Sequence, residues 1–360
     1  MGPKSGWMTG WGIMMADLVI MPSLAQISSS YLFRLFGANG LAASVFWTTL
    51  VGIVFIMGMT WICVVGIELN AKTQVGLLGA ELAVLVVFSV VALARVYSGA
   101  FSHSVTPSLS WLIPFSISDV SGITAGILVS VFIYWGWDTA VTVNEETSDA
   151  NRTPGLAAVL STVILFLIYV VTSFAAQAVH GAEFLTNNSD DVISSVGKDV
   201  LGGFFDRFLI IAVLTSAAAS CQTTILPAAR SALSMSAHKA APPWFGKINP
   251  ARLTPANATW AFGIGASAWY LGLVLLGGDV LTYSITGVGL MIAFYGMTGF
   301  ACVLYSRRYL LESVKNFIFV GLMPLVGALI LTWIFSSRCS ISPTRITQAG
   351  LHGSVSDRPL

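Results

Sequence analysis

Nine stretches of about 20 or more mostly apolar residues, separated by charges and turn-forming residues, dominate this chain. An α-helix needs about 20 such residues to cross the hydrocarbon core of a bilayer. The stretches, called spans A to I below, fall at about residues 8–33, 45–67, 74–96, 122–147, 156–178, 204–234, 257–276, 280–305 and 315–336. None shows the strict two-residue alternation of a lipid-facing β-barrel. The sequence therefore predicts an all-α membrane protein, a multi-pass bundle of about nine transmembrane helices.

The composition agrees with a chain surrounded by a lipid bilayer. Apolar residues make up 56% of the 360 positions and charged residues 9%, whereas soluble domains carry about 25% charged residues. A net charge of +1 leaves no basic stripe for phosphates, which excludes a nucleic-acid partner. The four cysteines lack the spacing of zinc or disulfide motifs. We therefore expect no metal site and no cofactor.

The distribution of lysine and arginine predicts the orientation, because these residues favour cytoplasmic loops. Ten of them fall on the face that carries the N-terminus and four on the opposite face. The N-terminus is therefore predicted to be cytoplasmic, with the protein in the cell membrane. Residues 337–360 disagree, since nine spans would leave them outside although they carry Arg338, Arg345 and Arg358. This segment is rich in serine and threonine without an apolar period, which predicts a disordered tail.

Span D contains an aromatic and acidic string near its middle, Tyr134-Trp135-Gly136-Trp137-Asp138. A glycine between two tryptophans, followed by an acid, favours an interruption of the helix. Carbonyl groups at such a break bind ammonium groups or cations, and Asp138 would then begin a second half-helix that exchanges protons or pairs with an amine. Alternatively, Gly136 only permits close helix packing and Asp138 bonds a neighbouring hydroxyl group.

Span F carries hydroxyl residues on one helical face. Ser220, Thr223 and Thr224 recur at positions i, i+3 and i+4, so their oxygens are grouped closely enough to coordinate sodium or a substrate. Small and hydroxyl residues are equally typical of tight helix–helix interfaces in membranes. Both interpretations stay open at this point.

Four further acids fall in or beside the spans. Asp17 lies near the middle of span A and needs a partner there, which makes it a candidate for ion coupling together with Asp138 and Thr223. Glu81 lies about a turn and a half inside span C, where we interpret it as structural, with its carboxylate extending towards headgroups. Glu145 and Glu146, at the cytoplasmic end of span D, are candidates for solvated caps or gate salt bridges.

The sequence resembles the amino acid permeases of the amino acid-polyamine-organocation superfamily in three places. IYWGWDTAVTVNEETSDANRTP is similar to the family's sixth helix and its exit, although Asp149-Ala150 stands where the family commonly has Asn-Pro. RSALSMSAHKAAPPWFGKINPARLTPANAT is similar to the loop after the eighth helix, with His238-Lys239-Ala240 in place of the usual Arg-Asp-Gly. GPKSGWMTGWG at residues 2–12 looks like the loop that leads into the third helix.

The resemblance implies a LeuT-type bundle of two inverted five-helix repeats. Residues 8–96 would be the last three helices of the first repeat, 122–305 the complete second repeat and 315–336 an extra helix, together a permease domain over residues 1–336. The first two helices and the last one of the family would then be absent. The resemblance places the substrate contacts at Phe132, Tyr134, Trp135, Gly136, Trp137, Asp138, Ser220 and Thr224.

The leading hypothesis is a secondary transporter for amino acids or related amines that works by alternating access, with a proton or sodium as coupling ion and no enzymatic activity. A truncated permease that inserts without transporting is the alternative. A membrane-embedded enzyme is a third hypothesis, but no HExxH, GxSxG, paired-histidine or Walker pattern occurs. The substrate and the oligomeric state are not readable from the sequence.

Overall fold

The computed structural model describes residues 2–113, 120–142, 144, 147–188, 192–202 and 206–339. Within these residues the chain forms thirteen α-helices, joined by short 3-10 segments and one π-helical segment. The helices, numbered in chain order, are α1 Pro3–Leu35, α2 Asn39–Ala42, α3 Val45–Val65, α4 Ile67–Tyr97, α5 Val120–Ile133, α6 Asp138–Thr142, α7 Thr153–Asn187, α8 Val192–Leu201, α9 Asp206–Ala237, α10 Ala256–Leu275, α11 Val280–Ser306, α12 Val314–Asn316 and α13 Met323–Cys339.

Among the described residues, eight helical segments are long and apolar enough to cross a membrane. They correspond to spans A, B, C, E, F, G, H and I, and they confirm the prediction of an all-α multi-pass protein. Span D differs because it is divided into α5 and α6, and neither piece reaches the length of a bilayer. The outer face of α7 carries exposed apolar side chains, as a lipid-facing helix requires: Leu156, Val159, Leu160, Val163, Ile164, Phe166 and Leu167.

Both ends of the helical region differ from expectation. The N-terminal segment was expected to be a loop, but α1 begins at Pro3, since proline is well suited to the first turn of a helix. At the other end α13 extends to Cys339, so residues 337–339 of the predicted tail are helical. Residues 340–360, the rest of the predicted disordered tail, lie outside the described residues.

The chain divides into two compact units, and the larger one comprises residues 17–287. One part of its core is formed where α4, α7, α8 and α9 meet. Its buried residues are Phe88, Ala92, Val96, Ala175, Ala178, Val179, Val196, Val200 and Leu209. Alanine and valine predominate, as expected where membrane helices approach closely.

The loop before α10 is fastened to the end of α3. The Thr254 hydroxyl donates a hydrogen bond of 2.9 Å to the Val64 carbonyl, and Thr254 is buried. This bond satisfies one of the carbonyl groups that a helix leaves without a partner at its C-terminus. Thr254 belongs to the loop segment that carries the family resemblance, and this bond gives it a structural role.

The smaller unit comprises the residues up to Ala16 and from Val288 onwards. Within it, the Ser313 side chain accepts a hydrogen bond of 3.2 Å from the Lys315 backbone N–H and so caps α12. A π-helical turn over Phe317–Leu322 follows and continues into α13. Trp7 and Trp11 of this unit stack with their ring centroids 6.3 Å apart.

Helices α3 and α10 approach closely at a glycine, which leads to a test of stability. A Cβ atom at Gly263 would lie 2.6 Å from Cγ2 of Thr60, whose rotamer is fixed by a 2.7 Å hydrogen bond to the Ile56 carbonyl. We expect Gly263→Ala to lower the free energy of unfolding by about 1–3 kcal/mol, because the site has no room for a methyl group. Thermal unfolding in detergent measures the change.

Gly272 provides the matched control in the same helix, since a Cβ atom there would meet nothing within 4 Å. Gly272→Ala is expected to be neutral or to stabilise slightly, by up to about 1 kcal/mol. Equal melting temperatures for the two variants would contradict the close approach of α3 and α10.

Candidate functional site

The break predicted in span D is present between α5, which ends at Ile133, and α6, which begins at Asp138. The residues between them, Tyr134–Trp137, form a turn in which Gly136 has a φ of +111°. Side chains with a Cβ atom rarely adopt such a φ, whereas glycine adopts it without strain. No described atom lies within 4 Å of a Cβ built at Gly136. Gly136 therefore allows the backbone to form the turn. The alternative that it only permits close helix packing is wrong.

Hydrogen bonds with two other helices, α7 and α9, hold the broken ends in place. The Tyr169 hydroxyl of α7 donates to the Ile133 carbonyl at 3.0 Å, and the Thr139 hydroxyl of α6 donates to the Thr223 carbonyl of α9 at 3.1 Å. The rings of Tyr134 and Tyr169 also meet edge to face, with centroids 5.5 Å apart. Such contacts are needed because unpaired backbone groups are costly at membrane depth.

A cavity of about 570 Å³ opens beside the break, within the range typical of small-molecule sites. The break itself and helices α1, α4, α7 and α9 form its walls. The described residues that line it are Ile20, Leu24, Ile27, Gln74, Leu78, Glu81, Leu85, Phe132–Trp137, Ser161, Thr162, Leu165, Tyr169, Leu209, Ala212, Val213, Ser216, Ala217, Ala219, Ser220, Thr223 and Thr224.

Most of the predicted site residues come together in this cavity. From the break, the cavity is lined by Phe132, Tyr134, Trp135, Gly136 and Trp137. The three hydroxyl residues predicted to share a face of span F lie on the facing wall. The structure therefore brings together the aromatic break and the hydroxyl face that the sequence singled out separately.

The hydroxyl groups on α9 are oriented by their own helix. Thr223 donates to the Ser220 carbonyl at 2.9 Å, and Thr224 donates to the Cys221 carbonyl at 2.9 Å. Because these protons are engaged, each hydroxyl oxygen keeps its lone pairs for another donor or a cation. The face is thus rich in hydrogen-bond acceptors.

Asp17 and Asp138 are both buried, and neither is among the described residues that line the cavity. Their carboxyl groups are close enough to interact electrostatically. Neither oxygen of Asp17 has a hydrogen-bond partner among the described residues. Two buried acids, one from α1 and one from α6, therefore interact within the larger compact unit.

Glu81 is the main residue for which the sequence interpretation was wrong. It lines the cavity, and its carboxyl group is close enough to the Ser216 side chain on α9 for the two to interact. Gln74 was also missed; its amide donates to the Ala219 carbonyl at 2.8 Å and to Oε1 of Gln222 at 2.9 Å. The available signal was the spacing of the two polar residues, seven positions apart and thus on one face of α4.

Two sequence predictions receive no test from this geometry. The gate candidates Glu145 and Glu146 lie outside the described residues. As for metals, the part of the chain that the structure describes contains no group of three or more His, Cys, Asp or Glu side chains arranged to hold an ion.

Comparison with known proteins identifies relatives of this chain. Cationic amino acid transporter 4, vacuolar, of Arabidopsis thaliana is 23% identical over 320 residues, which cover 85% of this chain and 51% of that protein. The arginine/ornithine antiporter ArcD1 of Lactococcus lactis subsp. cremoris is 23% identical over 269 residues, or 69% of this chain and 50% of that protein. The chain spans about half the length of these relatives. Both are named for transport, in line with the expectation that the chain is not an enzyme.

The sequence profile of the amino acid permease family matches residues 1–345, nearly the whole chain of 360 residues. The match includes every described residue of the cavity and of the acid pair. The chain therefore belongs to the amino acid permease family.

Proposed function

We propose that this chain is a secondary active transporter that moves amino acids or related amines across the cell membrane by alternating access. The observation that carries the proposal is the cavity at the break between α5 and α6, which faces the hydroxyl groups of α9. Discontinuous helices form the substrate sites of many transporters, because their ends present backbone groups to the ligand inside the membrane.

The chemistry of the cavity suits the ammonium group of such a substrate. The C-terminal end of α5 carries the negative end of a helix dipole, and aromatic rings of Tyr134, Trp135 and Trp137 lie beside it. Hydroxyl oxygens of Ser220 and Thr224 line the opposite wall. The relatives named for cationic amino acids and for arginine and ornithine make cationic amino acids the first substrates to test.

The pair formed by Asp17 and Asp138 supports ion coupling. Two carboxylates that interact at membrane depth cannot both stay charged unless a cation lies with them. The pair therefore takes up a proton or a sodium ion, and Thr223 supplies a further oxygen nearby on α9 in the sodium case. For the orientation in the membrane we rely on the distribution of lysine and arginine between the loops, which favours a cytoplasmic N-terminus.

Uptake into proteoliposomes tests this function. The purified chain is reconstituted, a proton or sodium gradient is imposed, and a panel of radiolabelled amino acids and polyamines is offered. We expect at least one substrate to accumulate under one of the gradients, and an ionophore that dissipates the gradient to abolish the accumulation. Protein-free liposomes are the control. If no member of the panel enters above this control, the proposed function is wrong for this chain.

A further inference from the structure

Helix α4 presents a line of four residues to the cavity, Gln74, Leu78, Glu81 and Leu85. Their spacing of four, three and four positions puts them on one face of the helix. Among all described residues that line the cavity, Glu81 is the only one with a carboxylate, and none is lysine, arginine or histidine. The described part of the cavity wall therefore contributes one acid and no basic side chain.

The Glu81 carboxylate has polar neighbours on two other helices. It is half-buried and lines the cavity together with Ser216 of α9 and Tyr169 of α7, and both side chains are close enough to interact with it. The Tyr169 phenol also donates to the Ile133 carbonyl at the helix break. Tyr169 is thus a neighbour of both Glu81 and the helix break. An elongated ligand in the cavity would therefore contact Glu81 at one end and the break at the other.

A carboxylate at this depth needs a cation to offset the loss of hydration. An inorganic ion such as sodium would need several converging oxygen atoms, but the wall around Glu81 also contains Leu78, Leu85 and Leu165. The volume of about 570 Å³ fits a small organic molecule, and the nearby rings of Tyr134 and Tyr169 favour an organic cation.

We propose that Glu81, with Ser216 beside it in the cavity wall, forms a subsite for the side-chain ammonium or guanidinium group of a dibasic amino acid whose α-amino group lies at the helix break. Glu81 is then the residue that separates dibasic substrates from neutral ones of the same shape. This inference rests on the proposed transport function and names its substrate class.

Arginine and citrulline provide the sharpest test, because citrulline has nearly the shape of arginine but no side-chain charge. In proteoliposomes we expect wild type to prefer arginine. Glu81→Gln is expected to raise the apparent KM for arginine by about tenfold or more, with the value for citrulline changed less than about twofold, since the variant keeps shape and hydrogen bonding but loses the charge. Glu81→Asp is expected to restore part of the preference.

Two further variants serve as controls in case Glu81→Gln does not fold. Ser216→Ala leaves the acid in place but removes the hydroxyl group beside it, and it should weaken the arginine preference by about twofold to fivefold. Glu183→Gln, at an exposed position of α7, should change neither KM. Each variant is first checked for a monodisperse elution profile in detergent, and if Glu81→Gln fails this check, Glu81→Asp and Ser216→Ala decide the outcome.

The outcomes separate the two proposals. If wild type transports no amino acid, the proposed function fails. If wild type transports but Glu81→Gln affects arginine and citrulline equally or not at all, only the subsite is overturned. Loss of gradient dependence in Glu81→Gln with an unchanged arginine preference would also overturn it, because Glu81 would then carry the coupling ion.

Discussion

Replacing Gly136 with valine is expected to reduce substrate uptake by about 10- to 100-fold. At a φ of +111° a β-branched residue is strained by about 1–3 kcal/mol, and each 1.4 kcal/mol corresponds to a factor of ten in rate. The turn over Tyr134–Trp137 would relax towards a continuous helix, which removes the opening of the cavity. Initial rates of uptake in proteoliposomes, normalised to the amount of reconstituted protein, measure the effect.

Gly126→Val is the matched control in the first half of the same broken span. A Cβ atom at Gly126 would meet nothing within 4 Å, and its backbone is helical. The control is expected to keep at least about half of the wild-type rate, since valine is only slightly unfavourable in a helix. If Gly136→Val transports as well as Gly126→Val, the break is not needed for transport.

Removing either acid of the buried pair is expected to abolish accumulation of substrate against its gradient. Asp17→Asn and Asp138→Asn each replace a titratable group with a neutral one of the same shape, so the pair can no longer take up and release a coupling cation. Uptake should then stop when the substrate concentration inside the proteoliposomes equals the concentration outside. Because the two acids act as a unit, the double variant should be no worse than either single variant.

Accumulation ratios under the imposed gradient test this expectation. Asp149→Asn, at an exposed position before α7, is the control and should accumulate substrate as wild type does. Full accumulation by Asp17→Asn would show that the pair does not carry the coupling ion.

The helices and the break were predictable from the sequence because both depend on local features. Apolar runs of bilayer length stand out against only 9% charged residues, and Gly136 is followed directly by Trp137 and Asp138. The shared face of Ser220, Thr223 and Thr224 likewise follows from helical geometry alone. These predictions needed no knowledge of which helices are neighbours.

The role of Glu81 and the pairing of Asp17 with Asp138 could not be predicted in the same way. Helix α4 is apolar on most faces, so its sequence does not indicate which side meets protein and which meets lipid. The two aspartates lie 121 positions apart in the chain, and only the packing of α1 beside the break reveals that they interact. Both features depend on tertiary packing.

The most direct test is a cryo-electron microscopy density map of the protein with its substrate bound. The protein would be bound to an antibody fragment that increases the particle mass. It would then be imaged with arginine at a concentration that saturates uptake, and again without arginine. We expect additional density between Tyr134–Trp137 and the hydroxyl face of α9, extending towards Glu81. Density elsewhere in the protein, or a cavity that stays empty while uptake is saturated, would contradict the assignment of this cavity as the transport site.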